Sequence, residues 1–185
     1  MTSIFYSRSL LILLLLFPCF TKARAVNASP LRVVIIRHGE KPEKGHNLSC
    51  QGQNRAAALP AVLYQKFGKP EYTYVPNMLT DKKTTGSRMY QTAAPFVSQY
   101  KIRLNSNFVE TDYAGIASDI IKKNGTVLIV WEHSAIKGIA KALGVKEPGK
   151  WPGDDFDSIW IISFDHGKAV FHKDNEGLHP SAACK

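Results

Sequence analysis

The sequence is poor in cysteine, has no internal repeat and carries no low-complexity linker after its first 25 residues. Three cysteines in 185 residues exclude a disulfide-dense scaffold. The six histidines never fall into H-x-x-x-H, nor the cysteines into C-x-x-C, so spacing points to no metal centre. The positive residues form no long run. Neither a basic helix nor an aromatic-basic strand face is present, which places nucleic-acid binding far down. The greasiest stretch, Leu10–Phe20, has eleven residues, whereas a bilayer span needs about 20.

What is present is an ordinary globular composition: 44% hydrophobic, 10% aromatic and 21% charged residues. The length suits one domain with a real core. The formal charge is +9, but Arg8, Lys22 and Arg24 precede Val26 and no acidic residue does. The chain after Ala25 keeps 21 basic and 15 acidic residues, a net of +6. A mildly basic body favours an anionic partner such as nucleic acid, an acidic membrane or a phosphorylated small molecule.

Arg8, the apolar run and the small-residue site Ala23-Arg24-Ala25 have the layout of a secretory signal cut after Ala25. The expected organisation is therefore a signal peptide at 1–25 and one domain at 26–185, in the periplasm or outside the cell. No stable membrane insertion is expected after cleavage. Removal of the leader leaves Cys50 and Cys184, which in an oxidising compartment can pair or stay as free thiols. Asn27, Asn47 and Asn124 each open an N-x-S/T pattern, which matters only in a host that glycosylates it. Compact size and short loops favour a bacterial periplasm.

Leu31–Ile36 (LRVVII) and Thr126–Trp131 (TVLIVW) read as strands buried on both faces, as in a parallel sheet. Helical spacing is expected over Gln51–Phe67, opened by Ser49 and kinked or divided at Pro60. Further helices are expected over Arg88–Tyr100, Tyr113–Lys123 and Ala135–Leu143, the last stopped at Gly144. Glu71–Val75 reads as a short strand and Arg103–Val109 as a weak one. Asp157–Asp165 and Lys168–His172 form a hairpin turning at His166-Gly167. This alternation predicts a three-layer α/β/α sandwich around a mostly parallel sheet, with an antiparallel hairpin at the C-terminal edge.

Each buried strand runs into a histidine, His38 after the first and His133 after the second. In open α/β sheets the ligand crevice lies beyond the carboxyl ends of the strands. Two histidines there, with Arg37 beside the first, propose a site for a doubly charged anion.

The order of the segments resembles the histidine phosphatase superfamily, which includes the phosphoglycerate mutases and many acid phosphatases. Arg37-His38-Gly39-Glu40 looks like its signature directly after the first strand. Leu48-Ser49 through Gly52 and Ala56 is similar to its L-T-x-x-G-x-x-x-A first helix, with Ser49 for Thr. Arg88-Met89-Tyr90-Gln91-Thr92-Ala93 is similar to its second-arginine segment, with Thr84 where a Ser would stand. Trp131-Glu132-His133 matches the place of its second histidine. The four matches lie in order over about residues 31–145. They imply the phosphoglycerate mutase-like fold and a histidine acid phosphatase-type phosphoric monoester hydrolase that needs no metal or organic cofactor.

The implied chemistry suits these residue types. A phosphomonoester carries about two negative charges near neutral pH. His38 would attack phosphorus and become phosphohistidine, its other nitrogen held by a backbone carbonyl, expected to be that of Gly39. Arg37 and Arg88 supply forked donors for the phosphate oxygens. His133 adds a donor, and Gly39 and Ser134 complete the expected binding set. A general acid must protonate the leaving alkoxide. Glu110 is the best positional match, and Asp112 and Glu132 are rivals. Lys41, Lys44, Lys82 and Lys83 are usually just solvated but can form a basic rim. Trp131, Trp151 and Trp160 read as packing, and Asp154, Asp155 and Asp157 as turn and strand-start residues.

The expected function is a secreted or periplasmic phosphatase acting on a phosphorylated small molecule through phosphohistidine on His38. A mutase must shield that intermediate from water. Only eight residues separate Glu40 from Ser49 and the stretch after Glu110 is short, which leaves little for a lid. A catalytically weak phosphate-binding module is the alternative from another class.

Overall fold

In the computed structural model, the described residues, apart from Met1, are 29–78 and 86–184. The expected signal peptide, with Asn27, and the loop residues Thr84, Lys82 and Lys83 lie outside the described residues.

The elements are β1 (Arg32–Arg37), α1 (Cys50–Phe67), β2 (Tyr72–Tyr74), α2 (Gly86–Tyr100), β3 (Leu104–Asn105), α3 (Tyr113–Ile120), β4 (Thr126–Trp131), α4 (His133–Ala142), β5 (Ser158–Asp165) and β6 (Lys168–Asn175). They form one six-stranded sheet in the order β3-β2-β4-β1-β5-β6. β1 runs parallel to β4, and β2 parallel to both β4 and β3. β5 runs antiparallel to β1 and β6 antiparallel to β5. The expected sandwich with an antiparallel hairpin edge is therefore the observed fold. His166 and Gly167 both take positive φ, 46° and 76°, the backbone of a type I′ hairpin turn.

The uniform apolar runs have a direct cause. All six residues of β4 and the last five of β1 are buried, because helices cover both faces of the sheet. On one face Leu59 and Leu63 of α1 and Met89, Ala93 and Phe96 of α2 pack on Val34, Ile36, Leu128 and Val130. On the other, Ile116 and Ile120 of α3 and Ile136 and Ile139 of α4 pack on Val33, Ile35, Val127 and Ile129. Trp131, Trp151 and Trp160 belong to that second core. Among the described residues no helix is long and apolar enough to cross a membrane.

Three local expectations change. α1 is not divided at Pro60: the helix runs unbroken to Phe67 with Leu59, Pro60 and Leu63 buried, so packing against the sheet outweighs one lost backbone bond. β3 shrinks to Leu104–Asn105, because its partner β2 offers only three residues. α4 begins at His133, two residues earlier than expected, directly after β4. The cysteines, left open by the sequence, are joined: a disulfide links Cys50 at the start of α1 to Cys184 in the tail.

Candidate active site

The site grows from two adjacent strand ends. Arg37 and Trp131 are register partners at the close of β1 and β4. The ladder continues one step, with the His38 N–H donating to the Trp131 carbonyl at 3.1 Å. His38 and Glu132 thus leave the sheet side by side, although 94 residues separate them.

His38 is 1% exposed and fixed from both ends of its ring. Its Nδ1 lies 2.6 Å from the Gly39 carbonyl oxygen, the anchor expected from the tight turn. Its Nε2 lies 2.9 Å from Glu132 Oε2. The other carboxylate oxygen of Glu132 pairs with Nδ1 of His133. One potential ligand atom from each of His38, Glu132 and His133 lies within 4.8 Å of the others. This corrects the expectation of scattered histidines, since sheet order joins what spacing along the chain cannot.

The turn after β1 is locked by backbone contact. A Cβ on Gly39 would stand 2.9 Å from the Gly52 carbonyl oxygen, and one on Gly52 would collide with the Glu40 backbone. Both positions therefore require glycine. The Gly39 N–H donates to Thr92 Oγ1 at 2.9 Å, and the Thr92 hydroxyl donates to the Arg88 carbonyl at 2.8 Å. Ser49 takes the role of the expected Thr. Its hydroxyl donates to the Glu40 carbonyl at 3.1 Å and accepts from the Gly52 N–H at 3.2 Å. Arg55 grips the Glu40 carboxylate through Nε and Nη2 at 2.9–3.1 Å.

Arg37 is 1% exposed. Its Nη1 donates to the carbonyls of Gly153 at 2.7 Å and Asp155 at 3.1 Å, and its guanidinium lies 3.8 Å from the Phe156 ring centre. Phe156 also presents an edge-on contact to His38 at 6.1 Å. Arg88 sits one helical turn before Thr92 on the same face of α2. Its Nη2 donates to the Gly45 carbonyl at 2.7 Å. The Nε of each arginine is buried without a hydrogen-bond partner.

The carboxylate candidates separate by position. Asp112 caps α3, accepting from the Gly115 N–H at 2.9 Å. The Glu110 carbonyl accepts from the Trp131 indole at 3.0 Å, which sets Glu110 beside the end of β4. Glu132 lies between the imidazoles. Ser134 is exposed in the first turn of α4, whose positive end opens toward the same place. Asp155 accepts from the Asp157 and Ser158 amides at 3.0 Å, which is strand-start chemistry as expected. Lys41 and Lys44 are exposed.

Burial alone would raise the Glu132 pKa, but the hydrogen bond with His38 and the facing charges of His38, His133 and Arg37 hold it down at about 2. Burial first, and the Arg37 charge second, lower the His133 pKa against the pull of Glu132. The carboxylates facing Arg37 are Glu132, Asp155, Glu40 and Asp154. The seat of Glu132 and the 153–156 wall were hidden from sequence reading. The adjacency of Glu132 to His133 after a fully apolar strand was a usable signal for the first, whereas Phe156 offered none.

No known family model matches the chain, and no curated protein sequence matches it. Solved structures do. The chain is similar to the protein histidine phosphatase SixA complexed with tungstate, at 16% identity and a TM-score of 0.58, covering 78% of this chain and 97% of that one. It is similar to a mycobacterial glucosyl-3-phosphoglycerate phosphatase with inorganic phosphate, at 15% identity and 0.56, covering 77% and 95%. It is also similar to phosphoglycerate mutase from Bacillus anthracis, at 12% identity and 0.53, covering 80% and 93%.

Proposed function

The fold is that of the histidine phosphatase superfamily, and from this premise we propose that the protein is a phosphatase that hydrolyses phosphomonoesters through a phosphohistidine on His38. The observation that carries the reading is the convergence of His38 and His133 at the carboxyl ends of two neighbouring parallel strands, with His38 Nδ1 anchored on Gly39 so that Nε2 points into the site.

The reaction balances with residues in place. Nδ1 faces the Gly39 carbonyl, and a proton between Nε2 and Glu132 Oε2, 2.9 Å apart, serves both groups. An arriving phosphate dianion adds negative charge beside Glu132, which raises its hold on a proton. Glu132 then takes the Nε2 proton, and the freed lone pair attacks phosphorus. As the N–P bond forms and the P–O bond breaks, Glu132 returns that proton to the leaving alkoxide. In the second half, Glu132 draws a proton from water, the oxygen attacks phosphorus, and His38 leaves and is reprotonated. We therefore assign the general acid to Glu132 ahead of Glu110 and Asp112. Arg37 and Arg88 turn their free donors to the equatorial oxygens, and His133 and the α4 amide end hold the remaining charge.

A secreted or periplasmic location fits the leader, and N-terminal sequencing of the exported protein is expected to begin at Val26. A phosphate-binding module without turnover is the second reading, favoured by the backbone carbonyls that occupy both guanidinium groups. One experiment decides. Labelled phosphate ester, quenched in alkali, should leave label on His38 and none on His38→Ala. Glu132→Gln should slow alkyl phosphates by about 10²–10⁴-fold and aryl phosphates less, because a good leaving group needs no acid while the Nε2 and water protons still need an acceptor. Absence of hydrolysis and of label in the wild type refutes the proposal.

A further inference from the structure

Two imidazoles and one carboxylate are also a metal-binding set, the one that holds catalytic zinc through two histidines and a glutamate. We infer that His38, Glu132 and His133 chelate a divalent transition cation, zinc above all, and that this ion competes with phosphate esters for the same place. The competition rests on the phosphatase reading above; the chelation does not.

Geometry supports it first. Both oxygens of Glu132 already face ring nitrogens, one on each histidine. All three candidate ligand atoms fall within 4.8 Å of one another, within reach of one ion that would replace the direct contacts of Glu132 with the two rings. The bond from His38 Nδ1 to the Gly39 carbonyl is the outer contact that typically orients a ligating histidine.

Charge supports it next. Arg37 is the cation pressed against the cluster, and its Nη1 is turned away onto the Gly153 and Asp155 carbonyls. Four carboxylates face it, of which Glu40 is matched by Arg55. Asp154 and Asp155 offset part of the positive field that Arg37, Arg88 and the amino end of α4 set around the two histidines. Access is open as well, with the His133 side chain 26% and the Glu132 side chain 15% exposed. Three protein ligands leave a fourth position for water, which suits zinc. Calcium and magnesium prefer all-oxygen sites, which this is not.

The test uses tag-free, chelator-stripped protein titrated with cobalt(II) and, by calorimetry, with zinc. The expected result is one visible cobalt spectrum per chain, displaced by zinc. His133→Ala and Glu132→Gln should each weaken affinity at least tenfold, whereas His166→Ala, on the exposed hairpin, should not. Unfolding midpoints of the variants show that they remain folded. Zinc should raise the KM for an aryl phosphate and leave kcat unchanged. No cobalt spectrum, or a spectrum that survives both site variants, overturns the inference. Hydrolysis without cobalt binding sinks chelation and leaves the phosphatase standing, while cobalt binding without hydrolysis does the reverse.

Discussion

The bridge between Cys50 and Cys184 gives the sharpest stability prediction, because the segment it closes is so long. The two residues are 134 apart. In the chain-entropy model a loop of that length lowers the entropy of the unfolded chain by about 17 cal/mol/K, or about 5 kcal/mol at 25 °C. Native bridges in practice contribute somewhat less, so Cys50→Ser/Cys184→Ser should lose about 3–5 kcal/mol. For a chain of this size that is a fall in Tm of roughly 6–20 °C. The effect acts mainly on the unfolded ensemble, since other contacts hold the folded tail. Asn54 Nδ2 donates to the Ser181 and Ala183 carbonyls at 2.9 and 2.8 Å, and Asp157 accepts from the Leu178 amide at 3.0 Å. The urea slope should rise because the open chain exposes more surface. Urea unfolding of both proteins, without reductant and with mass spectrometry to verify the bridge, measures all of this. A loss under about 1 kcal/mol would show that the unfolded chain gains little freedom when the bridge goes, and the reasoning would fall.

Three further predictions concern the ground around the site. Glu176 is buried, and burial pushes its pKa up to about 8 against the pull of Arg55, with Asp157 and Glu40 adding like charge. A raised folded pKa means stability in full below about 4.5 that is lost as pH climbs to about 8; Glu176→Gln should flatten this slope, which reaches about 1.4 kcal/mol per pH unit, and parallel stability curves for the two proteins would refute it. Gly52→Ala should destabilise by several kcal/mol and cut kcat/KM, because its methyl meets the Glu40 backbone, which has no easy retreat; a thermal scan at wild-type Tm contradicts this. Thr92→Val strips the Gly39 N–H of its acceptor, at a cost of about 1–3 kcal/mol, with kcat falling more than KM rises as the ring anchor loosens; unchanged kinetics would show that Thr92 does not position His38.

Much of the scaffold was legible because it is written locally. Val33–Ile36 and Val127–Val130 show no alternation since both faces are covered, and that pattern needs no knowledge of partners. The left-handed pair His166-Gly167 announced the hairpin by chemistry alone. Where expectation slipped, a neighbour decided. Pro60 sits inside α1 because its surroundings bury it, and β3 is short because β2 is short. In the site, the contact of Glu132 with His38 depends on β1 lying beside β4, which the order of segments does not state.

The amino-acid order by itself determined most of the strands and helices, and the arginine and histidine types that follow the buried strands. Those depend on backbone sterics and on periodicity over a few residues. Tertiary structure alone decided that Glu132 lies between His38 and His133, that backbone carbonyls hold Arg37 and Arg88, and that Cys50 meets Cys184. Each of those is a meeting of groups far apart along the chain. Such meetings follow from which strands pair and which loops fold over them, and no local preference encodes that.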